Sequence, residues 1–270
     1  MKTIRCLPFA LASVVLTACE EKPLTWEEAK LAVEEAALAS QAESFTAGSI
    51  EITSDFTMGE AVEAAAEQIR TFVETQLPCA EVTVTAGHVD IDYGAKPGDC
   101  TYRGHTYEGR QSVTVSRNDD DVVVEHEWTD FTNGILSVTG TATVTYDLDD
   151  PSRHVQHRLA WTRLADGRSG VGNGDRTQRP LGGDLLTGIV VDGTRSWEGT
   201  RGGWYLSINS VEARWVDPVP QAGSYTLDTP FKKSVTMEFD RLDDNTIRVT
   251  VRGSGGRSFH FDVSRLGEVS

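Results

Sequence analysis

The sequence predicts a mainly β fold: a large antiparallel meander sheet, curved and either open or barrel-like, of about a dozen strands preceded by two N-terminal α-helices. Three observations carry this. Apolar residues recur at helical spacing only before Pro78. From Val82 onward they recur at every second position. No helix-period segment interrupts that pattern, so connections are short and neighbouring strands run antiparallel.

Residues 1–18 stand apart from the rest. Lys2 and Arg5 make a positive start, Leu7 to Leu16 an apolar run, and Thr17-Ala18 a small-residue cleavage site, the three parts of a secretory signal peptide. The run is too short to span a bilayer as a helix. Leu16-Thr17-Ala18-Cys19 resembles a lipobox, the bacterial lipoprotein cleavage signal. That resemblance implies cleavage before Cys19, a diacylglyceryl group on its sulfur and an acyl chain, palmitate for instance, on its new amino group. Glu20 follows instead of Asp, which under the familiar sorting rule favours the outer membrane. The expected organisation is a signal peptide at 1–18, a lipidated helical segment at 19–78 and an antiparallel β domain at 79–270.

Leu24 to about Glu43 reads as the first helix, opened by a Thr25/Glu28 capping box with Leu24 as a staple residue. Ser44 to Asp55, with Ile50 and Ile52, reads as a short strand or extended connector. A second helix is expected from Thr57 and Glu60, with Met58, Val62, Ala65, Ile69, Phe72 and Leu77 at helical spacing, ended by Pro78. Strands follow at Val82–Val84, Val89–Tyr93, Val113–Val115 and Val122–Trp128. Leu136, Val138, Ala142, Val144 and Tyr146 then face one way, and Ser137 and a run of threonines the other. Asn133-Gly134 predicts the hairpin between these last two strands. Val155, His157, Leu159 and Trp161 make another strand. Ala165 to Pro180, with Gly170, Gly172 and Gly174, reads as a loop-rich excursion or an irregular hairpin. Asp192-Gly193 reads as a turn. Trp204, Leu206 and Ile208 fall out of phase with Val211, Ala213 and Trp215, which predicts a β-bulge near Asn209-Ser210. Strands at Val235–Phe239 and Ile247–Val251 flank the turn Asp243-Asp244-Asn245, and Phe259–Val263 closes the chain.

The formal charge of −16 becomes −18 once Lys2 and Arg5 leave with the leader. So acidic a chain repels nucleic acid and is a poor overall match for anionic lipid. Of four cysteines, Cys6 leaves and Cys19 carries lipid. Cys79 and Cys100 remain with one pairing in an oxidising compartment, and that loop's closure contributes roughly 3 kcal/mol in the chain-entropy model. No nearby cluster of ligands supports a metal pair instead.

Cys79 to Gly140 is similar to a group of uncharacterised Gram-negative lipoproteins. The likeness rests on Val89-Asp90-Ile91-Asp92-Tyr93-Gly94, Cys100, Gly109, Thr129-Asp130-Phe131-Thr132-Asn133-Gly134 and Gly140-Thr141, and extends through Trp215-Val216-Asp217-Pro218. It implies a meander of similar strands and an envelope location, and no chemistry.

No serine-nucleophile elbow, H-E-x-x-H or P-loop occurs. No catalytic, metal or cofactor residues are assigned. His154 and His157, three apart on a strand, point to opposite faces. Asp119 to Asp121, Asp147 to Asp150 and Asp243-Asp244-Asn245 read as solvated turns, since none has the spaced ligands of a calcium loop. The run Gly170 to Asp175 resembles one copy of a glycine-rich calcium repeat. The expected function is that of a membrane-anchored envelope lipoprotein, not an enzyme, with a binding or structural role. Two alternatives are a carrier of a lipophilic ligand under the second helix, which needs an elongated apolar cavity, and a glycan-acting hydrolase, which needs two close carboxylates in a cleft.

Overall fold

In a computed structural model the described residues are 22–54, 56–57, 61–102, 104–118, 121–147, 152–214, 220–253, 255–264 and 268–270, the side chains of 184–186 excepted. Cys19 and the leader, Met58 to Glu60 and Trp215 lie outside them.

Helix α1 (Trp26–Ile52) opens with the expected capping box: the Glu28 N–H donates to Thr25 Oγ1 at 3.2 Å and the Thr25 N–H to Glu28 Oε2 at 2.8 Å. It does not stop near Glu43, and the segment expected as strand or connector is its last two turns. Phe45, Ser49 and Ile52 are buried at helical spacing there. Gly48 is tolerated inside the helix because a Cβ at that position would sit 2.6 Å from the Tyr107 hydroxyl. Tertiary packing has overridden weak local propensity. α2 (Val62–Gln76) starts later than expected, with Ala61 at its N-cap; the Thr57 N–H donates to Gln68 Oε1 at 2.8 Å instead of serving a capping box. Its face of Ala65, Ala66, Ile69 and Val73 is buried, and it ends before Pro78 as expected.

The strands are β1 (Glu81–Thr85), β2 (His88–Tyr93), β3 (Thr101–Tyr102), β4 (His105–Thr106), β5 (Glu108–Arg117), β6 (Asp121–Thr132), β7 (Leu136–Asp147), β8 (Arg153–Arg163), β9 (Ser169–Leu181), β10 (Asp184–Gly199), β11 (Gly202–Ala213), β12 (Ala222–Asp228), β13 (Ser234–Arg241), β14 (Thr246–Gly253) and β15 (Ser258–Ser264). β3 and β4 pair with each other; the other thirteen form one antiparallel meander in sequence order. Its outer strands, β1 and β15, are not paired to each other among the described residues, so the sheet is open. The Asn133-Gly134 and Asp243-Asn245 hairpins stand where the sequence predicts them.

The expected bulge is present. The β11–β12 register shifts between Asn209 and Glu212, and Ser210 takes a positive φ of 44°. Asp192 stabilises it by accepting the Ser210 N–H at 2.7 Å. Asp192-Gly193 is therefore no turn; it lies inside β10, where the register to β11 shifts.

The largest correction is β9. The stretch expected as a loop-rich excursion or an irregular hairpin is a strand with strict burial alternation, whose inward residues are Gly170, Gly172, Gly174, Arg176 and Gln178. Three of these positions are glycine because rings occupy the space above them. A Cβ on Gly170 would lie 2.6 Å from the Trp161 indole; on Gly172 it would meet Ser196 O at 2.6 Å and Trp197 Cβ at 2.8 Å. The His157 ring covers Gly174. The apolar alternation that marks strands elsewhere is thus supplied here by the neighbours' aromatic rings.

The concave face of the sheet is filled by α1. Leu24 meets Gly253 of β14, Trp26 meets Phe261 of β15 with ring centroids 5.8 Å apart, and Phe45 stacks on Phe131 of β6 at 4.4 Å. The helix is buried on nearly all sides, as a helix enclosed by its partners must be. Its many alanines let the sheet close around it. One hydrophobic core runs from Leu24 to Val263 and includes both helices. Cys79 and Cys100 form a disulfide with Cα atoms 5.4 Å apart, tying the end of α2 to the loop between β2 and β5.

Candidate functional site

A ladder of ion pairs runs along α1, partly exposed at Glu28 and deeper from Glu35 to Glu51. Glu28 accepts from Lys233 Nζ at 2.5 Å, just before β13. Glu35 accepts from Arg168, at the β8–β9 connection, at 2.5 Å. Glu43 Oε2 takes Arg176 of β9 at 2.7 Å and Arg195 of β10 at 2.8 Å. Glu51 meets Arg153 of β8 at 2.5 Å, and Arg153 Nε also donates to Gln178 Oε1 at 2.8 Å. The glutamates are seven or eight residues apart, so successive ones drift around the helix axis instead of forming one stripe. Their partners follow because the sheet wraps the helix.

Glu43 is the centre of the ladder. Burial alone would push its carboxyl up, but the Arg176 and Arg195 guanidinium groups hold it below the usual range. Arg176 donates to His157 Nδ1 at 3.0 Å, and His157 Nε2 lies 3.4 Å from Glu43. An imidazole that accepts on Nδ1 carries its proton on Nε2, facing the carboxylate, and is neutral. Burial, with the Arg176 charge, lowers the His157 pKa to about 3. The short His157–Glu43 distance is therefore a neutral contact and not an ion pair. Arg195 also donates to Ser40 Oγ at 3.2 Å and stacks 5.2 Å from the Tyr225 ring.

Beside this cluster a small cleft of about 70 Å³ opens between α1 and the sheet, with Ile189, Val191, Ile208 and Val211 as walls and Glu43, Arg176 and Tyr225 at its base. It is sized for a couple of water molecules. Glu43 is its one lining carboxylate among the described residues, and both of its oxygens are engaged. The space under the helices is occupied by α1, whose side chains join the core there.

A second polar chain crosses the core nearby. Tyr93 donates to Gln111 Oε1 at 2.8 Å, and Gln111 Nε2 reaches His126 Nδ1 at 3.3 Å and Thr53 Oγ1 at 3.4 Å. Trp128 Nε1 donates to Ser49 Oγ at 2.9 Å. These bonds hold the C-terminal half of α1. Burial, with the Arg153 charge, lowers the His126 pKa to about 3.

The two buried histidines make stability pH-dependent. Both are neutral when folded and titrate near 6.5 when unfolded, so the unfolded chain binds more protons as pH falls below 6.5. Stability is unaffected above that value, drops through the window from 6.5 to about 3, and at pH 5 has lost about 2 kcal/mol for each histidine. Urea midpoints measured from pH 7.5 to 5 should fall accordingly, and His126→Gln with His157→Gln should flatten the slope. A midpoint constant down to pH 5 would count against neutral burial.

Of the residues singled out in the sequence, Cys79 and Cys100 are brought together and Cys19 lies outside the described residues. His154 and His157 do point to opposite faces: His154 meets Asp175 at 2.6 Å on the outer surface. Asp243-Asp244-Asn245 is a hairpin whose Asn245 N–H donates to Asp243 at 2.7 Å. In the other two acidic turns, Asp119, Asp120, Asp149 and Asp150 lie outside the described residues. No group of three metal-ligating side chains occurs among the described residues. The ladder is absent from the sequence reading, although its signal is present. Arg153, Arg176 and Arg195 sit in phase with Val155, Gly174 and Trp197, at positions that alternation assigns to the inner face.

Searches of protein families, of curated proteins and of solved structures find nothing that matches this chain.

Proposed function

We propose that the chain is an exported envelope lipoprotein, held on the outer membrane by acyl chains on Cys19, whose body serves as a rigid non-catalytic display or binding unit. The observation that carries the reading is the lipobox together with the start of the fold. Leu24 is fully buried and lies only five residues after Cys19, a reach of about 17 Å when extended. Several acyl chains on one residue give an attachment that a single chain does not, at about 0.8 kcal/mol per buried methylene. The filled concave face supports a solid body over a carrier.

Intact-mass analysis of protein from its native host tests the anchor. The expected species begins at Cys19 with added acyl mass and partitions into detergent, whereas Cys19→Ala stays aqueous. A mature chain starting elsewhere without acyl mass overturns it.

A further inference from the structure

We infer that the cleft between α1 and the sheet is a binding site for one small monovalent anion, a halide or a short carboxylate, held against the Arg176 guanidinium. The inference goes beyond the anchor reading and does not rest on it.

The charges around the cleft do not balance. Arg153, Arg176 and Arg195 are each less than a tenth exposed, and the carboxylates that meet them are Glu43 and Glu51. Burial pushes the Tyr225 pKa up, so it stays a phenol, and the buried His126 and His157 are neutral. Three cations thus face two anions among the described residues, away from water. Glu35 and Arg168, nearer the start of α1, balance one for one. The excess falls at Glu43, where two guanidinium groups share one carboxylate oxygen. An uncompensated cation is costly in a low-dielectric interior, and a bound anion offsets that cost.

The unpaired atoms call for the same ligand. Around the cluster, Arg176 Nε, Arg195 Nε and Trp197 Nε1 are buried without a hydrogen-bond partner, and all three are donors. Both Glu43 oxygens are already engaged, so that carboxylate has none to spare for them. A water molecule can accept from one of them but leaves the charge as it was.

The cleft has the room. A volume of about 70 Å³ that holds a couple of waters also holds a halide, or a carboxylate with a short tail. Its aliphatic walls disfavour a multivalent anion, which would bring more charge than the single excess cation matches. Arg214, exposed, is a further cation on the lining. Neighbouring acids do not cancel this. Glu212, two residues before Arg214, is half-buried and off the lining, and Asp192 is held by Arg179 at 2.6 Å. Asp217 lies outside the described residues.

Urea unfolding of the full chain in a neutral detergent tests the site, at fixed ionic strength, with gluconate replaced by chloride or by acetate. Tenfold more of the acting anion should lower the unfolding equilibrium constant by up to about tenfold, as one anion released per unfolded chain requires. Whichever of chloride and acetate acts at the lower concentration gives the class of the ligand. Arg176→Met, which leaves Arg195 and Glu43 one to one, should abolish the dependence. In crystals of the parent, bromide, or bromoacetate if acetate is the anion that acts, should give an anomalous peak between Arg176 and Ile208. That peak decides the matter if the variant does not fold. No anion dependence in the parent, a dependence that Arg176→Met leaves unchanged, or bromine at surface sites only overturns the inference. So does an insensitive parent whose Asp217→Asn form becomes sensitive, since that carboxylate would then be the missing charge.

Discussion

Glu43→Ala should lower the unfolding free energy by about 3–5 kcal/mol, the cost of leaving buried charge uncompensated. Two guanidinium groups share one carboxylate oxygen, at 2.7 and 2.8 Å, and both arginines are buried among apolar walls. Without Glu43 they repel each other with little water to screen them. Against a total stability of about 5–15 kcal/mol for an ordinary domain, the variant sits near the edge of folding. A urea midpoint within error of the parent would refute the clamp. The companion experiment separates charge from packing. Glu43→Leu together with Arg176→Met and Arg195→Met removes all three charges at similar volume, and should recover most of the loss, because a buried ion cluster is often no more stable than its apolar replacement. Failure of the triple variant to recover would mean that the cluster's hydrogen bonds, to Ser40 and His157, hold more of the fold than the charge balance does.

Phe45→Ala is the second large effect, again about 3–5 kcal/mol, through a cavity and not a charge. The Phe45 ring is fully buried and stacks on Phe131 at 4.4 Å and on Tyr107 at 5.5 Å, while Tyr93 lies 5.5 Å from Phe131. These rings come from α1, β2, β6 and the segment before β5, so the site cannot collapse without moving several strands. The loss should be nearly independent of pH between 5 and 7.5 relative to the parent, unlike that of the histidine variants, and near-ultraviolet circular dichroism should weaken as the stack opens. A loss under about 1 kcal/mol would mean the cluster repacks freely, contrary to the close packing drawn for it.

How far the fold is legible in the sequence follows from which residues face inward. Where the inner face is apolar, as at Val122 to Trp128 or Leu136 to Tyr146, period-two reading finds the strands, and a phase slip at Asn209-Ser210 finds the bulge. β9 reads as a loop-rich excursion or irregular hairpin because its inner face is glycine, arginine and glutamine; glycines two apart are themselves the pattern of a strand under large rings. α1 reads as too short because Gly48, Thr46 and Ser49 are poor helix formers whose cost is offset by contacts from distant strands. The charge ladder escapes for the same reason. A glutamate in an alanine-rich helix reads as solvent-facing until the helix is known to be surrounded.

The enclosure of α1 also dictates an order of events. The helix precedes every strand in the chain, yet Glu28 waits for Lys233, 205 positions later, and Glu43 for Arg195, 152 positions later. Such non-local closures slow folding, since the entropy of the long loops is lost before the contacts are gained. During that interval the ladder's glutamates leave an alanine-rich segment charged and open to water. The acids that look misplaced inside the finished protein give an unpartnered α1 the charge that favours hydration over self-association until the last hairpin arrives.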